Sequence, residues 1–214
     1  MIKLKEINRA EALRYIGGSK VEMNENMDAL LTSCEKEILE VAAVKYLYKK
    51  IPLNDSKLLI GNSIKEHLKG CGEAILICAT IGNAVDKLIR TASVTDMSKA
   101  VVLDAMASTA VEQACGMLDE IISQENPDKF LTWRFSPGYG DYPIELQSKF
   151  LQILDAPRKI GLCTNENSIL TPTKSVTAIM GLSDSPIEKR RKGCASCNLK
   201  KTCKFRKSGE RCEF

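Results

Sequence analysis

Residues 73-EAILICATIG-82 are the stretch on which the fold turns. The run is apolar almost throughout, rich in Ile, and bounded by glycines. At this length it reads as a buried strand and falls far short of a bilayer span. Working outward, 83-NAVDKLIRTAS-93 has helical spacing, and the longest pattern in the chain follows from about residue 96 to 124. There Val102, Ala105, Met106, Thr109, Ala110, Gln113, Met117, Leu118 and Ile121 recur every three or four positions, which predicts one long helix. Its small residues, among them Ala105, Ala107, Ala110, Ala114 and Gly116, permit close packing.

Upstream, Ile7, Ala10, Leu13 and Ile16 mark a helix that Gly17 and Gly18 stop. A second helix is expected over 26–42, with Leu30, Leu31, Cys34, Ile38 and Val41 as its buried stripe. The segment 44-VKYLYKKIPL-53 alternates β-formers with charge and predicts a half-exposed strand, followed by a helical turn at 63-SIKEHLK-69. Downstream, 129-KFLTWRF-135 reads as a strand, 144-IELQSKFLQIL-154 as a helix, and 159-KIGLCT-164 and 174-KSVTAIMGL-182 as strands. Strands and helices mix without a strict βαβ rhythm. The expected class is therefore α+β, with a mostly antiparallel sheet packed with helices. The composition changes abruptly at 183-SDSP-186, which divides the chain into a domain over 1–183 and a tail over 184–214.

The 214 residues are 44% hydrophobic, enough for one core of ordinary size plus an appendage. Charge is unevenly spread. From residue 189 onward ten Lys/Arg face two Glu, which leaves 21 basic and 25 acidic residues in a mildly acidic body. The charged opening MIKLKEINRAEALRYIGG has no apolar core of the signal-peptide kind, so a soluble cytoplasmic protein with no membrane attachment is expected. Cys34, Cys71, Cys78, Cys115 and Cys163 are scattered through the body, mostly among apolar neighbours, and read as buried thiols. His67, between Lys65 and Lys69 on a short polar helix, reads as a solvated surface residue. Trp133 reads as core or groove wall, and Asp141 as a turn cap.

The segment 134-RFSPGYGDYP-143 cannot be regular structure, because two Pro and two Gly fall within its last eight residues. An Arg at a strand end before such a turn brings a planar fork of donors and several backbone N–H groups into one space. That arrangement suits a carboxylate or phosphate. The plainer alternative is a tight turn with an exposed Arg.

The same segment resembles the R-x-x-x-G-Y motif of the activation domain of cobalamin-dependent methionine synthase. Further on, 164-TNENSILTPTKSVTA-178 resembles that family's threonine–glutamate–serine and proline–serine–valine segment, with Glu166, Pro172, Ser175 and Val176 in matching places. Upstream, 109-TAVEQA-114 is similar to the helical segment that carries a ligand-contacting Glu, a role that falls on Glu112. The opening 11-EALRYIGG-18 is similar to the start of small stand-alone relatives. The resemblance touches much of 5–182 and is densest over 134–178.

It implies a domain that binds S-adenosylmethionine in a shallow groove and docks over the cobalamin of a partner methyltransferase. There it would support reductive methylation, in which cob(II)alamin takes one electron and S-adenosylmethionine methylates the resulting cob(I)alamin. The resemblance gives Arg134 the ligand's carboxylate and Glu112 its amino group or ribose. Ser136, Pro137, Gly138 and Tyr139 would shape the pocket around the sulfonium, with Glu166 and Ser175 as further contacts. No catalytic side chain is required, because the cobalt carries the hard chemistry. The partners implied are a corrinoid methyltransferase and an electron donor such as ferredoxin or flavodoxin. The chain departs from the family in three ways. It is shorter, it has Tyr142 where the family has a Cys, and a cysteine tail stands where an aromatic-bearing extension should be.

That tail, 194-CASCNLKKTCKFRKSGERC-212, has the spacing C-x2-C-x5-C-x8-C at Cys194, Cys197, Cys203 and Cys212. Four cysteines without His predict a thiolate shell for zinc or a 4Fe-4S cluster, and spacing does not choose between them. The redox context of the resemblance favours the cluster. The surrounding Lys and Arg would offset the shell's negative charge. Two other readings compete with the reactivation role. One is a corrinoid-domain binding module without S-adenosylmethionine. The other is a zinc-dependent nucleic-acid-binding protein, which the acidic body and the lack of an aromatic platform disfavour.

Overall fold

A computed structural model of the protein describes residues 2–17, 23–53 and 56–187. The cysteine tail, and with it Cys194, Cys197, Cys203 and Cys212, lies outside the described residues. The elements run α1 (Arg9–Ile16), α2 (Glu25–Val41), β1 (Lys45–Pro52), α3 (Asn62–His67), β2 (Glu73–Thr80), α4 (Asn83–Thr95), α5 (Met97–Glu125), β3 (Phe130–Leu131), α6 (Leu146–Leu154), α7 (Ala156–Ile160), β4 (Cys163–Thr164), β5 (Leu170–Thr171) and β6 (Ser175–Ser183). Four strands form one antiparallel sheet in the order β1-β2-β6-β3, and β4 pairs with β5 in a separate hairpin. The class is α+β, as the sequence predicts.

The apolar run at 73–82 is explained by its place. β2 is a central strand with helices over both of its faces, so neither set of alternating side chains needs to be polar. Ile75 and Ile77 point into a core shared with α1, α2, α4 and α5. Ala74, Leu76 and Cys78 point into a second core with α3, α6 and the 142–170 region. The register keeps both sets in phase, pairing Ile75 with Met180, Ile77 with Ala178 and Leu76 with Ile179. Each buried Ile or Leu here removes apolar surface worth about 2–3 kcal/mol from water. β1, at the sheet's edge, carries Lys45, Lys49 and Lys50, charges that blunt an edge against further pairing.

α5 is the spine of the first core. Asp96 caps its start by accepting from the Lys99 amide at 3.0 Å. Ala100, Ala105, Ala107, Ala110 and Ala114 are buried along it, which lets α1, α2 and α4 pack close. No helix among the described residues is long and apolar enough to cross a membrane.

Four readings need correction. The stretch 159–164 is not one strand. Pro157 in the first turn and Gly161 in the left-handed conformation (φ 71°) frame the short helix α7, and only Cys163 and Thr164 pair as β4. The strand expected over 129–135 is limited to Phe130–Leu131, with one further bridge from Phe135 to Ile179. His67 is buried, with 7% exposure, because it shares the inner face of α3 with Ile64 and Leu68. Of the body cysteines, Cys34, Cys78 and Cys115 are buried, while Cys71 is half-buried and Cys163 exposed.

Candidate functional site

The chemistry-bearing residues gather where α5 meets the segment after β3. Phe135 is pinned to β6 by two backbone hydrogen bonds with Ile179, at 3.0 and 2.9 Å. This fixes Arg134 at the sheet's edge, over the middle of α5. There its Nη2 meets Glu112 Oε2 at 3.1 Å and its Nε donates to Asp119 Oδ2 at 3.0 Å. The guanidinium is largely covered, while Glu112 is about half exposed. Burial works against the Arg134 charge, but Cys115, Asp119 and Glu112 around it outweigh that and raise its pKa. Cys115 is itself buried, and burial pushes its thiol up to about 12, so it is not a nucleophile at neutral pH.

The turn that follows is built by its own backbone. Tyr139 N–H donates to Ser136 O, Tyr142 N–H to Tyr139 O, and Gly138 N–H to Tyr142 O at 2.8 Å. Gly138 has φ 95°, a conformation that favours glycine. Pro137 is buried beneath the turn, and Tyr139 stands 62% exposed above it. Tyr142 fills the second core and donates its hydroxyl to Leu58 O at 3.0 Å. At the position where the resembled family has a Cys, the side chain is thus committed to packing.

Asp141 is a cap, but for a remote helix. Its two carboxylate oxygens accept from the Asn62 and Ser63 amides at 2.7 and 2.8 Å, closing the start of α3. The Asn62 amide first, then the Ser63 hydroxyl and amide, depress its pKa from 3.8 to about 2. A carboxylate depressed in the folded state contributes stability above its unfolded pKa and loses that contribution as pH falls through the folded value. Asp141→Asn is therefore expected to be less stable than the parent at pH 7. The gap should close between about pH 4 and pH 2 in denaturant melts across that range.

Glu112 and Arg134 are thus brought together, and residues 136–139 form one contiguous turn beside them. Glu166 and Ser175 are held elsewhere. Glu166 is exposed on the β4–β5 hairpin, whose turn is organised by Asn165 Oδ1 accepting from the Asn167 and Ile169 amides. Ser175, at the start of β6, donates its hydroxyl to Pro172 O at 2.7 Å. Among the described residues neither makes a hydrogen bond or ion pair with Glu112 or Arg134.

Three participants were not singled out from the sequence. Asp119 lies seven residues after Glu112, on the same helix face, a spacing that could have found it. Lys174, nearly buried, pairs with Asp104 Oδ1 at 2.7 Å and donates to Ser108 Oγ at 3.0 Å, two turns and one turn before Glu112 on α5. α5 therefore offers a polar stripe on which two loop cations dock. Tyr15, at the end of α1, has its hydroxyl pKa raised, first by partial burial and next by the Glu112 charge, and Tyr139 acts in the same direction. Tyr15 and Tyr139 are both exposed, and the Arg14 guanidinium lies 4.9 Å from the centre of the Tyr15 ring.

Among solved structures, the chain is similar to the crystal structure of the MetH reactivation domain bound to AdoHcy, with a TM-score of 0.48 and 17% sequence identity. The match covers 54% of this chain and 41% of that one, so it spans less than half of that chain's length. No protein-family model and no curated protein matches the sequence.

Proposed function

We propose that this protein is an accessory component for the reductive reactivation of a cobalamin-dependent methyltransferase, and that it binds S-adenosylmethionine between α5 and the 134–142 segment. The single observation behind this reading is the Glu112–Arg134 pair at 3.1 Å beside the Ser136–Pro137–Gly138–Tyr139 turn. A carboxylate and a guanidinium side by side are the electrostatic complement of an ammonium and a carboxylate on one carbon. They match the amino-acid end of S-adenosylmethionine, with Arg134 taking its carboxylate and Glu112 its ammonium. Tyr139, exposed beside this pair in the sequence, offers a ring face to a sulfonium. Glu166 and Ser175 would contact the far end of the ligand or the docked partner.

S-adenosylmethionine would supply the methyl group, and the partner's corrinoid would accept it after one-electron reduction by a donor of the ferredoxin or flavodoxin class. This chain's own residues bind and orient, and none of them needs to form a covalent bond.

A second reading is favoured by a specific feature. Two of the Arg134 nitrogens already engage Asp119 and Glu112, so a corrinoid-domain binding module that does not take S-adenosylmethionine also fits. A thermal-shift titration separates the two. Binding at about 100 times Kd should stabilise the protein by roughly 2.7 kcal/mol and raise Tm by several degrees. An unchanged Tm at millimolar ligand, together with capture of a cobalamin-bearing domain, would select the second reading.

A further inference from the structure

We propose that the outer edge of β1 is a docking site for an extended acidic segment of another protein, which joins the sheet as an antiparallel strand. β1 pairs with β2 along all of Lys45–Pro52 and stands at the end of the sheet order, so among the described residues no strand covers its other side. The register decides which groups face outward. The Ile81 amide donates to Lys174 O, and these two residues continue the register that pairs β2 with β6. Hydrogen-bonded residues alternate along an antiparallel strand. Ala74, Leu76, Cys78 and Thr80 therefore turn their backbone groups toward β1, where they meet Ile51, Lys49, Leu47 and Lys45. That leaves the N–H and C=O groups of Tyr46, Tyr48 and Lys50 pointing away from the sheet, as a template for one more strand.

Side chains decide what kind of strand fits. Leu47 and Ile51 pack against the second core, so Lys45 and Lys49 share that face of the strand, beside α7 with Arg158 and Lys159. All four cations are exposed. Asp155 engages Arg158, and on the opposite face Glu73 engages Lys50 at 3.8 Å. Lys45, Lys49 and Lys159 are left without an ion pair among the described residues. A second copy of β1 would set lysine against lysine, which is how these charges blunt the edge against self-pairing. A strand with Glu on that face meets the opposite sign instead. On the other face Tyr46 and Tyr48 stack, with ring centroids 6.4 Å apart and planes 10° from parallel, a surface that suits β-branched side chains. The fitting pattern is Glu alternating with Val. The site lies at the opposite edge of the sheet from β3 and the segment that carries Arg134, so it does not rest on the S-adenosylmethionine reading.

The test is fluorescence anisotropy of the full chain with a labelled, alternating Val-Glu peptide as long as β1, 8 residues. Binding is expected, and salt should weaken it. Lys45→Glu combined with Lys49→Glu should weaken it roughly tenfold or more, with far-ultraviolet circular dichroism showing the fold intact. An alternating Val-Lys peptide should bind that double variant and not the parent. Antiparallel pairing sets Val opposite Tyr46 and Tyr48, so N-methylation of the Val nitrogens should abolish binding. N-methylation of the Glu nitrogens, which face away, should change it by about threefold at most. With peptide bound, hydrogen exchange should slow at the Tyr46, Tyr48 and Lys50 amides. Binding that survives methylation of either set of nitrogens would overturn the proposal, because a charged surface alone would then account for it. A single-stranded oligonucleotide that binds as tightly and displaces the peptide would overturn it too, as would no binding at millimolar peptide and low salt.

Discussion

Gly61→Ala is expected to lower stability by about 3 kcal/mol and Tm by roughly 6–12 °C. Gly61 immediately precedes α3 with φ 106°, where a side chain is strained by about 1–2 kcal/mol. The remainder comes from contact. A Cβ at Gly61 would sit 2.6 Å from the Asp141 carbonyl oxygen and 2.8 Å from its Oδ1. The first of these is backbone and cannot rotate away. Relieving it moves the 136–142 turn or breaks the Asp141 cap on α3, which carries Ile64, His67 and Leu68 into the second core. Because that turn borders the proposed groove, the variant should also bind S-adenosylmethionine more weakly. A thermal melt within 1–2 °C of the parent, an order-of-magnitude margin, would contradict the packing account.

Arg134→Leu is the second large effect expected. It leaves Asp119 and Glu112 on one face of α5 without their shared cation. Breaking such a pair costs 3–5 kcal/mol when both partners are fully buried, and about 2 kcal/mol is expected here because Glu112 is half exposed. Arg134→Lys should recover part of the stability and little of the ligand binding, because an ammonium cannot span two carboxylates as a planar fork does. Denaturant unfolding measures the first effect and calorimetric titration with S-adenosylmethionine the second. A Lys variant that binds ligand as well as the parent would remove Arg134 from the site.

The sequence predicts one core where the structure has two, but the long elements between and around them were legible because their patterns are long. α5 keeps one period for 29 residues, and β2 is apolar on both faces because both are covered. The short elements were not. α7 has five residues, too few for periodicity, although Pro157 and Gly161 were visible signals for it. His67 was misread from its lysine neighbours, when its spacing from Ile64 and to Leu68 placed it inward. The candidate site was legible as a list of residues but not as an arrangement. The sequence resemblance drew attention to Glu112 and Arg134, yet nothing in it indicated that the two pair with each other. Asp141 shows the same limit, since its partners, Asn62 and Ser63, lie nearly eighty residues away in the chain.

The central claim is that this chain brings S-adenosylmethionine to a partner's corrinoid. It is tested most directly in single turnover, with methyl-labelled S-adenosylmethionine, a cobalamin-bearing methyltransferase in the cob(II) state and a low-potential chemical reductant. Label should reach the corrinoid at a rate that depends on this protein, and Glu112→Gln should slow it roughly tenfold, the cost of about 1.4 kcal/mol of lost binding. Transfer that proceeds equally with and without the protein would contradict the account.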